Sequence, residues 1–165
     1  KIGDKLSDLT FKIDEKKTIS SNELQGKKLI IYFYPKDDTP GCTVEAIDFS
    51  KSKNKFDKNN THIIGISKDS IEKHEKFKNK HSLSIDLASD DGSICELFDV
   101  WKEKSMYGKK YMGIERATFF FDEKLQLIHE WRNVKVKGHV EDVLDFIPDY
   151  ENNQIIIRNR SQHGR

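Results

Sequence analysis

Short apolar runs separated by polar and turn-forming residues organise this chain. Lys28 to Tyr34 (Lys-Leu-Ile-Ile-Tyr-Phe-Tyr) is continuously β-branched and aromatic, too short for a buried helix, and predicts an inner strand that Pro35 ends. After it come cap and turn formers, Asp37, Asp38 and Thr39, then Pro40, which suits a helix's first turn. Val44, Ala46, Ile47 and Phe49 follow with helical spacing. Thr61 to Ser67 reads as a second inner strand, and a Lys- and Glu-rich helix follows from about Ser70 to His81. Ile85 to Ala88 is a short strand. Ser89-Asp90-Asp91-Gly92 opens a helix with Ile94, Leu97, Phe98 and Trp101 on one side. A Gly- and Lys-rich loop then leads to a strand at Ala117 to Phe121, whose hairpin partner is Leu125 to Trp131. A last helix from about His139 to Phe146 closes the domain before Pro148.

Strand–helix–strand, helix, then hairpin and helix is the order of an α/β, thioredoxin-like fold with a mixed central sheet covered by helices on both faces. Residues 1–148 form that domain. Residues 149–165, polar except for Ile155 to Ile157, read as an added, mobile C-terminal tail. There is no internal repeat, and the lysine-rich stretch Lys51 to Lys58 reads as a solvated helix face.

Composition narrows the function without choosing it. The 165 residues carry 29 Lys and Arg against 28 Asp and Glu, a formal charge of +1, which implies no broad basic surface for nucleic acid. Hydrophobic residues make up 35% of the chain, and no apolar run approaches the ~18 residues of a membrane span. Two cysteines do not make a disulfide framework, and the amino end lacks the order of a signal peptide, so the expected compartment is the reducing cytoplasm. The chain begins at Lys1 rather than methionine, which leaves an organelle lumen after removal of a leader as the alternative.

The chemistry concentrates at Cys42. It follows an apolar strand and opens a helix, where exposed N–H groups and the positive end of the helix dipole favour a thiolate over a thiol. Gly41 lets the backbone approach a small ligand, and Thr39, three residues earlier, can aim a hydroxyl at the same space. Taken singly, each residue has an ordinary reading: a buried small hydrophobe for Cys42, cap residues for Thr39 and Pro40, a helix charge for Glu45, a surface ion pair for Arg116. No His-Glu-x-x-His motif or zinc-type cysteine spacing points to a metal, and no Gly-rich phosphate loop or Cys-x-x-Cys is present. His62 and His129 fall in strands and read as packing or edge residues.

The segment as a whole changes that balance. Pro35-x-x-x-Thr39-x-x-Cys42 resembles the active-site motif of peroxiredoxins, and Tyr-Pro-Lys-Asp-Asp-Thr-Pro-Gly-Cys-Thr-x-Glu is similar to their bacterioferritin comigratory protein, or Q-type, subfamily. Cys95 to Arg116 resembles that subfamily's later loop, and Arg116-Ala-Thr-Phe-Phe-Phe-Asp its arginine-bearing strand. The likeness runs from about Ile2 to Ile147. It implies a thiol-dependent peroxidase that needs no cofactor and reduces hydrogen peroxide and organic hydroperoxides through a sulfenic acid at Cys42. In that reading Arg116 lowers the thiol's pKa and binds the peroxide oxygens, while Thr39 and the Cys42 N–H complete the hydrogen bonding. Pro35 shields the sulfur, and Glu45 orients the arginine.

Many members carry a resolving cysteine five residues after the nucleophile, and here that position is Ile47. The expectation is therefore a single-cysteine enzyme, monomeric, reduced by thioredoxin, glutaredoxin or glutathione. Cys95 reads as structural, with a resolving role as the alternative. Two other functions remain open at this point: a redox sensor with little turnover, and a thioredoxin-like binding module with an unreactive Cys42.

Overall fold

The computed structural model describes residues 1–147; the expected tail lies outside the described residues. In chain order the strands are β1 (Thr10–Lys12), β2 (Thr18–Ser20), β3 (Lys28–Phe33), β4 (Thr61–Ser67), β5 (Asp86–Ser89), β6 (Trp101–Met106), β7 (Lys109–Ile114), β8 (Ala117–Phe121) and β9 (Leu127–Trp131). The helices are α1 (Pro40–Lys51), α2 (Lys53–Lys58), α3 (Ile71–His81), α4 (Ser93–Leu97) and α5, helical through 139–147. Seven strands form one sheet in the order β2-β1-β5-β4-β3-β8-β9, with β6 and β7 a separate ribbon. β3, β4 and β5 run parallel, and β8 lies antiparallel to β3, so the sheet is mixed as expected.

The central strands are apolar because both of their faces are covered. Along β3 the alternation of side chains sends Leu29, Ile31 and Phe33 into one core, and Ile30 and Tyr32, with Tyr34 just beyond, into the other. The second core takes most of the helices: Cys42, Ala46 and Phe49 from α1, Phe56 from α2, Phe77 from α3, and Val140 and Val143 from α5. The first is closed by Ile94 and Cys95 of α4 and by Leu24 of a short 3-10 turn. Helices therefore cover both faces, unevenly.

Four expectations need correction. The stretch expected to be a Gly- and Lys-rich loop is the β6–β7 hairpin, paired from Trp101↔Ile114 to Met106↔Lys109. Its turn, Tyr107-Gly108, has both residues at positive φ (52° and 77°), the twist a two-residue hairpin turn requires. Trp101 accordingly belongs to a strand, and α4 stops at Leu97, which is exposed rather than core-facing. Val44, placed on the buried stripe of α1 by its spacing, is 49% exposed. Lys51 to Lys58 is solvated except at Phe56, which is fully buried.

Candidate active site

Strand register builds the site. In the β3–β8 pairing Phe33 faces Ala117, so Arg116, immediately before β8, reaches the end of β3, where the chain turns through 35–39 into α1. The N–H of Val134 donates to the Arg116 carbonyl (3.0 Å) and fixes the backbone there. Thr39 is the N-cap of α1 and Pro40 its first residue, which puts Cys42 in the first turn, where backbone N–H groups have no carbonyl within the helix. Glu45 follows one turn later on the same face. Cys42, Glu45, Ala46 and Phe49 are the buried stripe of α1.

Arg116 joins the two polar members of that stripe. Its Nη1 donates to Glu45 Oε1 at 2.7 Å and its Nη2 to Cys42 Sγ at 3.3 Å. Burial works against the guanidinium's charge, but Glu45 and Cys42 outweigh it and raise the Arg116 pKa. Burial raises the Glu45 carboxyl and the contact with Arg116 offsets this only in part, so the net position is about 7. Gly41 serves this contact, since a Cβ there would stand 3.2 Å from Arg116 Nη2. The Thr39 hydroxyl donates to the Lys36 carbonyl at 2.8 Å, which spends its hydrogen and leaves its lone pairs free to accept. Pro35 is half-buried at the start of the loop.

Cys95 is not brought to this site. It is fully buried in the opposite core, so the sheet stands between the two free cysteines. Its N–H donates to Asp90 Oδ2 at 2.9 Å, and burial together with the Asp90 carboxylate pushes its thiol pKa well up. Ile47 lies on α1, half-buried against the same core as Cys42.

Two neighbours escaped the sequence reading. Lys104, on β6, lies close enough to interact electrostatically with Arg116 and Cys42; burial first and Arg116 second lower its pKa, while Cys42 opposes them. Tyr32, read only as a strand residue, points to Cys42's side of the sheet, and its buried hydroxyl has no hydrogen-bond partner among the described residues. The alternation of β3 was the available signal for Tyr32. Nothing local marks Lys104.

The loop before Cys42 is tied to α3. His74 Nδ1 meets Asp37 Oδ2 at 2.6 Å, while its Nε2 donates to the Ala88 carbonyl at 3.1 Å, and Tyr34 donates its hydroxyl to Asp37 Oδ1 at 2.5 Å. The Asp37 N–H donates to Asp69 Oδ2 (2.7 Å), which also accepts from the Ser67 hydroxyl (2.7 Å). Asp37, Asp69 and His74 are the one cluster of metal-ligating types among the described residues, and they hydrogen-bond within the loop network, to Tyr34, Ser67 and Ala88 as well as to each other. Further out, Asp38 holds a left-handed backbone (φ 59°) and pairs with Lys80 (2.7 Å) and His81 (2.9 Å) of α3. His62 pairs with Asp86 (3.0 Å), and His129 stacks on Phe146.

The profile of the AhpC/TSA family matches residues 2–130, and that of a family of unknown function (DUF7191) matches residues 135–163. The chain is 50% identical over 149 residues to peroxiredoxin Bcp of Bacillus subtilis, covering 90% of this chain and 95% of the relative. With peroxiredoxin Bcp of Xanthomonas campestris it shares 49% over 120 residues, 72% of this chain and 75% of the relative. Among solved structures, the X. campestris bacterioferritin comigratory protein, described for its alkyl peroxide reduction activity, superposes with a TM-score of 0.81 at 41% identity, covering 86% of this chain and 91% of its own. A mutant of Xylella fastidiosa PrxQ gives 0.87 at 35% identity, covering 92% and 97%. No helix among the described residues is long and apolar enough to cross a membrane. With a thioredoxin-like fold, and with this likeness across nearly the whole length of its relatives, the chain belongs to the AhpC/TSA family as a Bcp-type (Q-type) peroxiredoxin, a thiol-dependent peroxidase.

Proposed function

We propose that Cys42 is the thiol that attacks the peroxide, and that this chain is a single-cysteine enzyme reduced by an external thiol. The observation that carries the reading is the contact of Arg116 Nη2 with Cys42 Sγ at 3.3 Å, the guanidinium being held from its other side by Glu45. A cation at that distance favours thiolate over thiol and presents donors where negative charge develops on the departing oxygen. Cys42 Sγ attacks one peroxide oxygen; the S–O bond forms as the O–O bond breaks, sulfur is oxidised to the sulfenic acid, and the alkoxide or hydroxide leaves and takes up a proton. The Thr39 hydroxyl, its hydrogen already given to Lys36, accepts from the hydroperoxide O–H and so orients the substrate. Gly41 keeps the space into which the guanidinium projects, and Pro35 limits water at the loop's start.

The substrates are hydrogen peroxide and organic hydroperoxides, the latter supported by the alkyl peroxide reduction described for the X. campestris relative. Ile47 at the local resolving position and Cys95 behind the sheet both favour an outside reductant, a thioredoxin, a glutaredoxin or glutathione. The enzyme acts as a monomer in a thiol-reducing compartment, the cytoplasm, through a catalytic domain of residues 1–148, with 149–165 appended.

Intact mass spectrometry after one equivalent of hydrogen peroxide tests this. The expected product is one added oxygen at Cys42, trappable by a sulfenic-acid reagent, in the parent and in Cys95→Ser, with no reaction in Cys42→Ser. Recovery of a Cys42–Cys95 disulfide peptide, or activity that survives in Cys42→Ser, overturns the reading.

A further inference from the structure

Two acidic side chains share one cation in this site, and both are closed off from water: Cys42 is 1% and Glu45 0% exposed, and Arg116 touches each. If both ionised, a buried net negative charge would remain, which low dielectric penalises; if one keeps a proton, the trio is neutral. Arg116 occupies only Oε1 of Glu45. The other oxygen, Oε2, is buried without a hydrogen-bond partner among the described residues. An unsolvated anionic oxygen costs more than an unsolvated hydroxyl, so a proton belongs there.

We propose that Glu45 is the charge-balancing residue of the peroxide step: its Oε2 holds the one proton that Cys42 and Glu45 share, and releases it when the Cys42 thiolate is oxidised. The inference rests on Cys42 being the reactive thiol. In the reduced enzyme the site is thiolate, carboxylic acid and guanidinium. Attack on ROOH turns the thiolate into a neutral sulfenic acid, which removes the competing anion from Arg116. Glu45 then ionises against Arg116, and the proton it gives up matches the one that RO⁻ takes to become ROH. Sulfur loses two electrons, the peroxide gains two, and the step draws no proton from solvent.

The direction of the Glu45 titration agrees, since burial, offset only in part by Arg116, leaves it at about 7. The charged and titratable groups around it fit as well. Tyr32 on β3 has its own pKa raised by burial first, then by Glu45 and Cys42, so it stays a neutral neighbour; Asp48 on α1 adds negative charge that further favours the protonated form. Lys104 on β6 and His139 on α5 lie in the field of Arg116, and His139, its pKa lowered by burial to about 4, carries no charge near neutrality.

A weakly buffered single turnover with one equivalent of hydrogen peroxide, followed by a pH indicator on the slightly acid side of neutrality, separates the possibilities. Glu45→Gln keeps an oxygen for Arg116 but cannot hold the proton. Per sulfenic acid formed, measured by mass in the same samples, Glu45→Gln should take up about one proton more than the parent. Equal uptake in both proteins at full sulfenic acid yield overturns the proton sharing and leaves Cys42's role standing. No sulfenic acid at Cys42 in either protein overturns that role and the inference with it. Should Glu45→Gln fold poorly, the infrared carbonyl band of a protonated carboxylic acid gives an independent reading. It should be present in the reduced parent near neutrality and lost both on oxidation and in Cys42→Ser, where Glu45 becomes the sole anion on Arg116. A band that persists through oxidation overturns the inference.

Discussion

Replacing His74 with alanine strips the partner from a carboxylate that has almost no access to water. Asp37 and His74 are both buried, 2.6 Å apart, in a network that joins the loop before Cys42 to α3, β5 and the end of β3. The alanine variant leaves Asp37 with the Tyr34 hydroxyl and the Ala88 carbonyl without its donor. Breaking a buried ion pair from one side costs about 3–5 kcal/mol, because the stranded charge keeps its desolvation penalty. Against a total stability of about 5–15 kcal/mol that is a large fraction. A domain of this size loses about 2–4 °C of Tm per kcal/mol, so the expected fall is roughly 6–20 °C. Urea unfolding followed by circular dichroism would measure the cost. Asp37→Asn removes the stranded charge, so the Asp37→Asn/His74→Ala double variant should be no less stable than His74→Ala alone. A single-variant cost below about 1 kcal/mol, the worth of an ordinary hydrogen bond, or costs that simply add in the double variant, would refute the pair as a structural tie.

Two further outcomes follow from buried groups on the same face of the sheet. The folded protein holds Glu45's proton up to about 7, higher than an unfolded carboxylate does, so its contribution is complete in acid and is lost as pH rises through that range, by about 3 kcal/mol in all; urea midpoints measured across pH should therefore fall more steeply for the parent than for Glu45→Gln, and equal slopes would exclude the raised titration. Gly65→Ala would put a Cβ 2.6 Å from the Tyr32 ring, which stacks on Phe49 at 4.5 Å and is fully buried, so the variant should lose about 1–3 kcal/mol; a cost near zero would mean that Tyr32 has room the packing does not show.

What the sequence disclosed depended on how local each cause is. The strands Thr61–Ser67 and Ala117–Phe121 were legible to the residue because each is an apolar run bounded by polar turns and buried on both faces. The β6–β7 hairpin was not, since it lies outside the main sheet, keeps most side chains in solvent and so shows lysine where a core strand shows valine. Its turn, Tyr-Gly rather than Asn-Gly, hid the remaining signal. The hairpin β1–β2 has three residues per strand, too few to set up an alternation. Cys42, Glu45 and Arg116 could be named from their motif, but their contact depends on the antiparallel register of β8 on β3, which no local pattern encodes. His74 illustrates the limit best: it sits in a helix of lysines and glutamates, and only tertiary packing turns it into a buried partner of the loop before Cys42.

The alternation of one strand also bears on how the enzyme is regenerated. Odd positions of β3 face Cys95 and even positions face Cys42, so a disulfide between the two thiols would have to pass around a sheet edge, not across a loop. Its Cα atoms would need to come within about 7 Å. Reaching that from the α4 side means releasing the Ile94 and Cys95 N–H groups from Asp90 and pulling Ile94 out of its core. From the α1 side it means unstacking Phe49 from Tyr32 and parting Arg116 from Glu45. Each route exposes a fully buried aromatic or aliphatic side chain, or a buried charge, before any bond forms. In the proposed single-cysteine reading both cores stay in place, and an external thiol needs only Cys42, 1% exposed in the first turn of α1, to be uncovered.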